Sequence, residues 1–445
     1  MGLLQAVGDY LGLMRRFRSL SQRQITQYQE NEVVRLVDFA RKESPFYRSL
    51  YEGLDVHSLS DFALLPTINK QTMMENFDEL NTEGLVLSEV MEYAVQKELA
   101  KDYLGYYKDR FVIGLSSGTS GNKGLYVTSR ELTARASAVF LARGGLPLSL
   151  LPFRILFLLR VFSQGFSDIN APGIALKYMS TMTPPHKLIE AANTMRANVI
   201  MGPPSLLRLL APLARQLNKK PKRVVSYAEV LESEEKERLS TAFGCPVVEI
   251  YQTSEGQIAS ACKYGTLHIN EDLVYVELLD EEGQPEQPGH RARRMLVTNL
   301  VNISQPLIRY EMNDIIELGE PCPCGSNFRT IARVVGRNDD VLWVANHDST
   351  LSPLFPDLVS RWIITTSDSI REFQVRQSNV DKISIVLDII SHADALEIAD
   401  ALRRRFAQEL EALHLVCEVE IAIEEIPLPS DSSKMKRFLS EVKGP

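Results

Sequence analysis

The densest chemistry in the sequence is the run Leu115-Ser-Ser-Gly-Thr-Ser-Gly-Asn-Lys-Gly124. Its glycines let a backbone take φ > 0 and come close to a ligand, its hydroxyls and bare N–H groups donate hydrogen bonds, and Lys123 adds a positive charge on a long stem. That inventory suits a loop wrapped around phosphate. The order G-x-x-x-x-G-K-[ST] is absent, so this is not the loop of the common P-loop nucleotidases. The plainer reading is a Gly/Ser-rich surface turn, and the buried-looking strand in front of the run argues against it.

Four further clusters follow. Tyr251-Gln-Thr-Ser-Glu-Gly256 offers an aromatic ring, hydroxyls and one carboxylate at the end of a strand, groups suited to a purine, a phosphate and a magnesium ion. Arg309-Tyr-Glu-Met-Asn-Asp314 ends in a carboxylate able to accept two hydrogen bonds from a ribose. Val335-Gly-Arg-Asn-Asp-Asp340 carries Arg337 to the point where one pattern of elements stops and another starts. Pro429-Ser-Asp-Ser-Ser-Lys-Met-Lys-Arg437 is a hydroxyl-rich loop with Lys434 inside it. Alone, each has an ordinary explanation as a helix cap, a strand end, a linker or a solvated tail.

The elements that must position these groups can be read from periodicity. Residues 3–18 form an amphipathic helix ending in Arg15, Arg16 and Arg18, where positive charge complements the helix dipole, and Ser21 to Ala40 a second, broken at Ser44-Pro45. A capped helix follows the loop Leu65-Pro-Thr-Ile-Asn-Lys70. Phe111–Leu115 is a strand, and Ser129 to Arg143 a helix. From residue 154 strands and helices alternate: strands at 154–159, 197–201, 223–227 and 247–251, helices at 185–196, 205–217 and 233–243. That order predicts an open, largely parallel α/β sheet, whose ligands bind beyond the carboxyl ends of the strands. Hairpins follow at 273–280 and 294–300. A smaller unit from about Gly336 reads strand 373–377, strand 382–389, helix 393–413 and strand 417–423.

Length and composition bound the function. A chain of 445 residues exceeds one ordinary core, so two or three domains are expected. A net charge of -8 argues against a nucleic-acid scaffold. No apolar run approaches the ~20 residues needed to span a bilayer. With no basic region at the N-terminus and five cysteines that form no disulfide framework, the expected compartment is the cytoplasm.

Taken in order, the motifs resemble the ANL superfamily of adenylate-forming enzymes, and within it the phenylacetate-CoA ligase branch. Leu65-Pro-Thr-Ile-Asn-Lys-Gln-Thr-Met-Met-Glu-Asn76 and Tyr251-x-x-Ser-Glu255 match that branch. Ser226-Tyr-Ala-Glu-Val-Leu-Glu232, Gly265-Thr-Leu-His-Ile-Asn-Glu-Asp272, Pro306-Leu-Ile-Arg-Tyr310 and Pro321-Cys-Pro-Cys-Gly-Ser326 are similar to adenylate-forming proteins related to deazaflavin-coenzyme adenylating enzymes and capsule-cluster ligases. The resemblance runs from about residue 30 to the C-terminus. It implies a large N-terminal multi-sheet α/β domain with a β-hairpin subdomain, residues 1–338, and a small mobile α+β lid domain, 339–445, turning about Asp339.

The resemblance also implies roles. Ser116, Ser117, Thr119, Ser120 and Lys123 would wrap the β- and γ-phosphates of ATP, with Gly118, Gly121 and Gly124 giving backbone access. Tyr251 would stack on adenine, with Ala228 and Glu229 lining the base pocket. Ser254 would touch the α-phosphate and Glu255 would hold Mg²⁺, while Asp314 binds the ribose and Arg337 assists. Lys434 would reach the α-phosphate and the attacking carboxylate. Two departures stand out: Ser433 replaces the usual glycine before the lysine, and the stretch after residue 341 lacks the family's glycine-containing turn, which bears on CoA as acceptor.

Cys322-Pro-Cys324 is tighter than the Cys-x₂-Cys of zinc ribbons, so its spacing leaves free thiols and a metal site both open. The resemblance implies a structural zinc ion on Cys262, His268, Cys322 and Cys324. Cys245 and Cys417 read as core residues, and the other histidines as structural or solvated. The acid pocket is expected along Val161-Phe-Ser-Gln-Gly-Phe166 with Arg160 as a charge partner, its aromatics suited to an aryl or other small acid.

Three functions follow from these residues. The first is adenylation of a carboxylic acid followed by transfer to CoA, a carrier-protein thiol or an amine. The second is transfer of AMP onto a cofactor hydroxyl. The third is a non-catalytic ligand-binding relative, against which the intact Lys123, Glu255, Asp314, Arg337 and Lys434 argue. Neither a nucleic acid nor a membrane is an expected partner. A homodimer is carried over from the branch.

Overall fold

The computed structural model describes residues 3–116, 123–160, 163–367, 369–390, 394–427 and 436–444. Helix Leu3–Ser19 packs along the later helix Ala136–Arg143. Helix Gln22–Glu43 starts in a capping box: the Ser21 hydroxyl accepts from the Gln24 N–H, and the Gln24 side chain accepts from the Ser21 N–H. Pro45 opens the next helix, Pro45–Leu50, whose cap is the Ser44 hydroxyl. Tyr47, Tyr51 and Phe62 are fully buried here and share one core with Ile258, Val276 and Val297 far along the chain.

The hydroxyl-rich loop is carried by a hairpin of β1 (Phe111–Leu115) and β2 (Leu125–Ser129). Side chains serve β2 where a third strand would lie. Val127 N–H donates to Gln305 Oε1 (2.7 Å), Gln305 Nε2 donates to Leu125 O (3.0 Å), and Asn302 Nδ2 donates to Val127 O (2.8 Å). Gln305 is buried, so losing these bonds would strand polar groups away from water.

Strands β3 (Phe153–Leu159), β4 (Ile174–Ser180), β5 (Val199–Gly202), β6 (Arg223–Ser226) and β7 (Val247–Gln252) lie parallel. Leu156, Ile200 and Val224 on one face meet helices Pro185–Met195, Pro204–Leu210 and Ser233–Phe243. Ile155, Phe157, Val199 and Val225 on the other face meet Phe140 and Ile250. Burial on both faces is why β3, β5 and β6 read as continuous apolar runs, whereas the half-exposed edge strand β4 escapes that reading.

After β7 the direction changes. β8 (Gln257–Ala261) and β9 (Leu267–Ile269) are antiparallel; β10 (Val274–Leu279), β11 (Arg294–Asn299) and β12 (Tyr310–Met312) form a separate three-stranded sheet. β13 (Asp314–Gly319) and β14 (Thr330–Arg337) complete the main sheet in the order β13-β14-β9-β8-β7-β6-β5-β3-β4. The sheet is thus half parallel rather than largely so. The short turn between Gln252 and Gln257 cannot hold a crossover helix and forces antiparallel pairing. Two expected helices are also interrupted: 129–143 becomes Arg130–Thr133 and Ala136–Arg143, and 205–217 turns 3₁₀ at Ala211, where Pro212 lacks an N–H to continue an α-helix.

Beyond Arg337 the chain builds two small sheets. β15 (Leu342–Asn346) pairs with β16 (Leu351–Leu354); β17 (Ile370–Asn379) and β18 (Lys382–Ile389) pair side by side. β19 (Leu415–Val416) joins β15, while β20 (Glu418–Ile423) and β21 (Phe438–Ser440) flank β18 and β17. Trp362, Phe373, Ile385, Leu402 and Phe406 make this domain's own core. The β15–β16 hairpin, helix Pro356–Ile364 and β21 escaped the sequence reading. The result is a large α/β domain with a hairpin subdomain and a small α+β domain. Among the described residues no helix is long and apolar enough to cross a membrane.

One buried ion pair joins the N-terminal region to the hairpin subdomain. Arg309, at φ +49°, donates from Nη2 to Glu277 Oε1 (2.9 Å) and from Nε to Glu277 Oε2 (3.1 Å). Its Nη1 donates to the carbonyls of Ala63 (2.6 Å) and Leu65. Beside it, Ile68 N–H donates to Arg309 O (3.2 Å) and Glu311 N–H to Ile68 O (2.7 Å), laying segment 63–70 along β12. Removing the carboxylate would leave a buried guanidinium uncompensated. Glu277→Leu is therefore expected to cost about 3–5 kcal/mol in urea unfolding followed by circular dichroism; a loss below ~1 kcal/mol, as for a surface pair, would show that the clamp carries no such load.

Candidate functional site

The groups singled out in the sequence converge on a cleft of about 2080 Å³ lying between the carboxyl ends of the parallel strands and the C-terminal domain. The 116–124 loop is closed at its base: Ser116 N–H donates to Gly124 O (2.8 Å), and Gly124 N–H donates to Ser116 Oγ (2.7 Å). Ser117, Gly118, Thr119, Ser120 and Gly121 lie outside the described residues. Lys123 lines the cleft and pairs with Glu98 at 2.5 Å.

Glu255 is held from two sides. The Tyr126 hydroxyl, from β2, donates to Glu255 Oε1 (2.7 Å) and lies 3.3 Å from the Tyr310 hydroxyl, while Asn299 Nδ2 donates to Glu255 O (2.7 Å). Burial, and then the Glu255 charge, push the Tyr126 hydroxyl far above the ordinary phenol range, so it remains a donor. Gly256 is a glycine for steric reasons: a Cβ would stand 3.2 Å from Asn299 Nδ2 and from Val274. Ser254 is exposed on the cleft wall.

A second cluster joins three motifs far apart in sequence. Tyr251 donates through its hydroxyl to Asp314 Oδ2 (2.5 Å), and Arg337 Nε lies 3.5 Å from Asp314 Oδ1. Next to them Asn313 Nδ2 donates to Asp339 Oδ2 (2.6 Å), and burial pushes the Asp340 carboxyl up to about 6. Ala228 takes φ +70°, a strained conformation for a residue with a Cβ. Glu229 beside it accepts from the Ser205 N–H (3.1 Å) and hydroxyl (2.8 Å).

Sequence reading missed Lys70. Its segment was noticed only as a motif, yet the lysine lines the cleft so closely that a Cβ on Gly124 would stand 3.1 Å from Lys70 Cε. Desolvation lowers its pKa, and the Glu255 carboxylate pulls it back up, which marks the two as neighbours. Asn69 caps helix Lys70–Glu75, and the pairing of Ile68 with β12 fixes the approach. The available signal was a lysine immediately after a helix cap, outside any glycine-rich loop.

Next to these polar groups is an aromatic, apolar wall. Phe157 stacks on Tyr227 (5.4 Å, 17°) and meets Phe166 (5.1 Å), and Tyr227 is fixed by donating to Leu158 O (2.5 Å). Ala136, Val139 and Phe140 of helix Ala136–Arg143 face the same space, as does Arg160. Val161 and Phe162 lie outside the described residues, as does Lys434. Just after Lys434, Lys436 O accepts from Gln374 Nε2 (3.0 Å) and Arg437 O accepts from Val375 N–H (2.7 Å), which fastens that segment to β17.

Away from the cleft, Cys262, His268, Cys322 and Cys324 bring one donor atom each to within 4.8 Å of one another. Cys262 Sγ and Cys322 Sγ are 3.7 Å apart, too far for a disulfide and close to the ~3.8 Å edge of a tetrahedron with ~2.3 Å metal–sulfur bonds. His268 is fully buried; its Nδ1 lies 2.9 Å from Phe328 O, which turns Nε2 toward Cys324 Sγ at 3.4 Å. Helix Leu3–Ser19 covers the cluster with Phe17 edge-on to His268 (5.3 Å), and Arg16 and Arg143 share Asp272 at 2.9 Å each.

None of the family models compared matches the sequence. The chain is similar to Protein CapK of Staphylococcus aureus, 22% identical over 392 residues and covering 82% of this chain and 79% of that protein. It is also similar to phenylacetate-coenzyme A ligase of Thermus thermophilus, 23% identical over 406 residues, 83% of each. 2-Hydroxyisobutyryl-CoA ligase in its postadenylation state, in complex with 2-HIB-AMP, superposes with a TM-score of 0.74 at 18% identity over 96% of this chain and 91% of that one. The same ligase in its thioesterification state gives 0.59, so the two domains here are arranged more nearly as in the former. The amide bond synthetase McbA from Marinactinospora thermotolerans gives 0.53 at 14% identity over 96% of this chain and 97% of that one.

The Cys/His cluster makes a direct prediction. Elemental analysis of protein purified without added metal is expected to return one tightly held ion per chain, and Cys322→Ser to lose it. A metal-free preparation with native melting would rule the site out.

Proposed function

We propose that this protein, an adenylate-forming ligase of the phenylacetate-CoA ligase type in its sequence and fold, activates a small carboxylic acid with ATP and passes the acyl group to a thiol or an amine. The observation that carries this reading is the convergence of Lys70, Glu255, Tyr251, Asp314 and Arg337 on one cleft with both ends of the 116–124 loop, beside an aromatic wall.

The reaction joins two anions. A carboxylate oxygen forms a bond to the α-phosphorus of ATP while the bond from that phosphorus to the pyrophosphate oxygen breaks, giving acyl-AMP and pyrophosphate. Lys70, Lys123 and Arg337 supply positive charge along the triphosphate, and water exclusion strengthens each of them. Glu255, a carboxylate flanked by hydroxyls, fits a hard cation and would hold Mg²⁺; the ion would neutralise phosphate charge. Ser254 faces the α-phosphate. Asp314, aimed by Tyr251 and Arg337, accepts from the ribose hydroxyls, and the adenine lies between Tyr251 and the 228–229 segment. In the second half-reaction the acceptor attacks the acyl carbon and AMP departs.

The aromatic wall of Phe157, Phe166 and Tyr227 favours an aryl or other compact apolar acid. The acceptor is a thiol, of CoA or a carrier protein, or an amine, as the likeness to an amide bond synthetase suggests. The hinge between residues 1–338 and 339–445 is Asp339, and the small domain brings Lys434 to the α-phosphate. Cys262, His268, Cys322 and Cys324 would hold zinc, the ion suited to three thiolates and one imidazole, in a structural role.

Acid-dependent exchange of labelled pyrophosphate into ATP, across a library of carboxylic acids, tests the reading. Exchange driven by an acid supports it, whereas exchange only with a hydroxylated cofactor would replace it with nucleotidyl transfer. Lys434→Ala is expected to leave ATP binding nearly intact and to cut exchange by at least ~100-fold. Lys70→Ala is expected to weaken MgATP binding about tenfold, ~1.4 kcal/mol, in calorimetry; unchanged affinity would remove Lys70 from the phosphate site.

A further inference from the structure

Six charged and polar side chains bridge the two domains beside the nucleotide cleft. In the large domain, Arg208 of helix Pro204–Leu210 donates from Nη1 to Glu235 Oε1 (2.7 Å). Its Nη2 donates across the interface to Glu372 Oε2 (3.0 Å), on β17 of the small domain. Glu372 in turn accepts from Arg437 Nε (2.8 Å) and Nη2 (3.2 Å), and Arg437 Nη2 lies 3.9 Å from Glu229 Oε2. Glu229, through Ser205, leads back to the helix that carries Arg208.

We infer that Arg208 and Glu372 are positioning residues of the adenylation half-reaction: their ion pair latches the small domain over the nucleotide cleft and must open before the acyl group is transferred. The inference rests on the adenylation reading for its timing and on geometry for its existence. The pair is well shielded, its side chains 15% and 12% exposed, so water screens it poorly and its partners hold each other firmly. Burial pushes the Glu372 carboxyl up, but Arg437 and Arg208 pull it down to about 2, so it stays charged.

The arrangement is suited to opening as well as closing. Separating a buried ion pair is costly mainly because it leaves one charge unpaired. Here each member has a second partner in its own domain: Arg208 keeps Glu235, and Glu372 keeps Arg437. When the domains turn apart, neither charge is orphaned, and both remain aimed for the next closure. Arg437 also ties the latch to the segment that follows Lys434 in the sequence. The superposition agrees with a latched state, since the domain arrangement is nearer the postadenylation than the thioesterification conformation of a related fold.

Hydrogen–deuterium exchange on the full chain, read with and without MgATP, tests this without knowledge of the acid. In Arg208→Gln without nucleotide, peptides covering Pro356–Ile364 and Ile370–Asn379 are expected to exchange at least ~10-fold faster than in the wild type, with Phe153–Leu159 unchanged. The MgATP concentration that protects them is expected to rise about tenfold, with Arg208→Lys recovering part of both effects. Glu372→Gln should reproduce the loosening and guards against a folding defect peculiar to one variant. Wild-type exchange at these peptides in both Arg208→Gln and Glu372→Gln would overturn the latch. Loosening by Arg208→Gln in a protein whose wild type shows no MgATP protection would leave the latch standing and sink the nucleotide reading instead.

Discussion

The Arg309 guanidinium is the point on which the site's geometry depends. It is buried, ion-paired to Glu277 on β10, and bonded to two carbonyls of the 63–65 segment. With the Ile68 backbone pairing and a shared apolar core, that side chain docks the N-terminal region onto β12, and Lys70 follows at the end of the docked segment. The same strand supplies Tyr310, next to Tyr126 and Glu255, and leads directly to Asp314. A charge buried this deeply is tolerable only when its donors are satisfied, which fixes the relative placement of three stretches of chain.

Tyrosine hydroxyls perform a related task in the cleft. Tyr126 aims Glu255, and Tyr251 aims Asp314. A buried phenol donates a hydrogen bond without bringing a charge of its own, and each carboxylate thereby loses rotational freedom. In the proposed reaction those carboxylates would serve a cation and the ribose hydroxyls while lysines and an arginine face phosphates. Preorganised groups do not have to be reoriented as charge moves, which is where such sites gain most.

Ion pairs join the two domains, beside a small apolar cluster of Ile315, Val335, Val341 and Phe355 at their boundary. Arg291 and Arg333 approach Asp357 at 3.5 and 3.1 Å, and Arg361 approaches Glu234 at 2.8 Å, in addition to the Arg208–Glu372 pair. Each domain has its own apolar core, so turning one against the other need not expose it. Ion pairs can be exchanged for hydration or for other partners, whereas a shared hydrophobic core would make the interface permanent.

Local pattern determined a great deal of this protein. Strand–helix alternation gave four of the five parallel strands of the main sheet, because the inner ones are apolar on both faces, and it did not reveal the half-exposed edge strand β4. Side-chain chemistry singled out the 115–124 run, while Glu255, Asp314, Arg337 and the Cys/His set gained their expected roles only from the order of the motifs and the family they resemble. Tertiary structure decided what local pattern could not express. The turn at 253–256 sent the second half of the sheet antiparallel, a matter of connection length rather than of strand composition. The motif around Arg309 looked like part of a ribose site, yet its arginine is a structural clamp turned away from the cleft that residues 310–314 line. Lys70 is brought to Gly124 and Glu255 by a contact with residues some 240 positions away, and no periodicity in its own segment could announce that. The partners of Glu372 come from helix Pro204–Leu210 and from the C-terminal segment. An isolated glutamate in a strand reads as a solvated edge until folding surrounds it with two guanidinium groups.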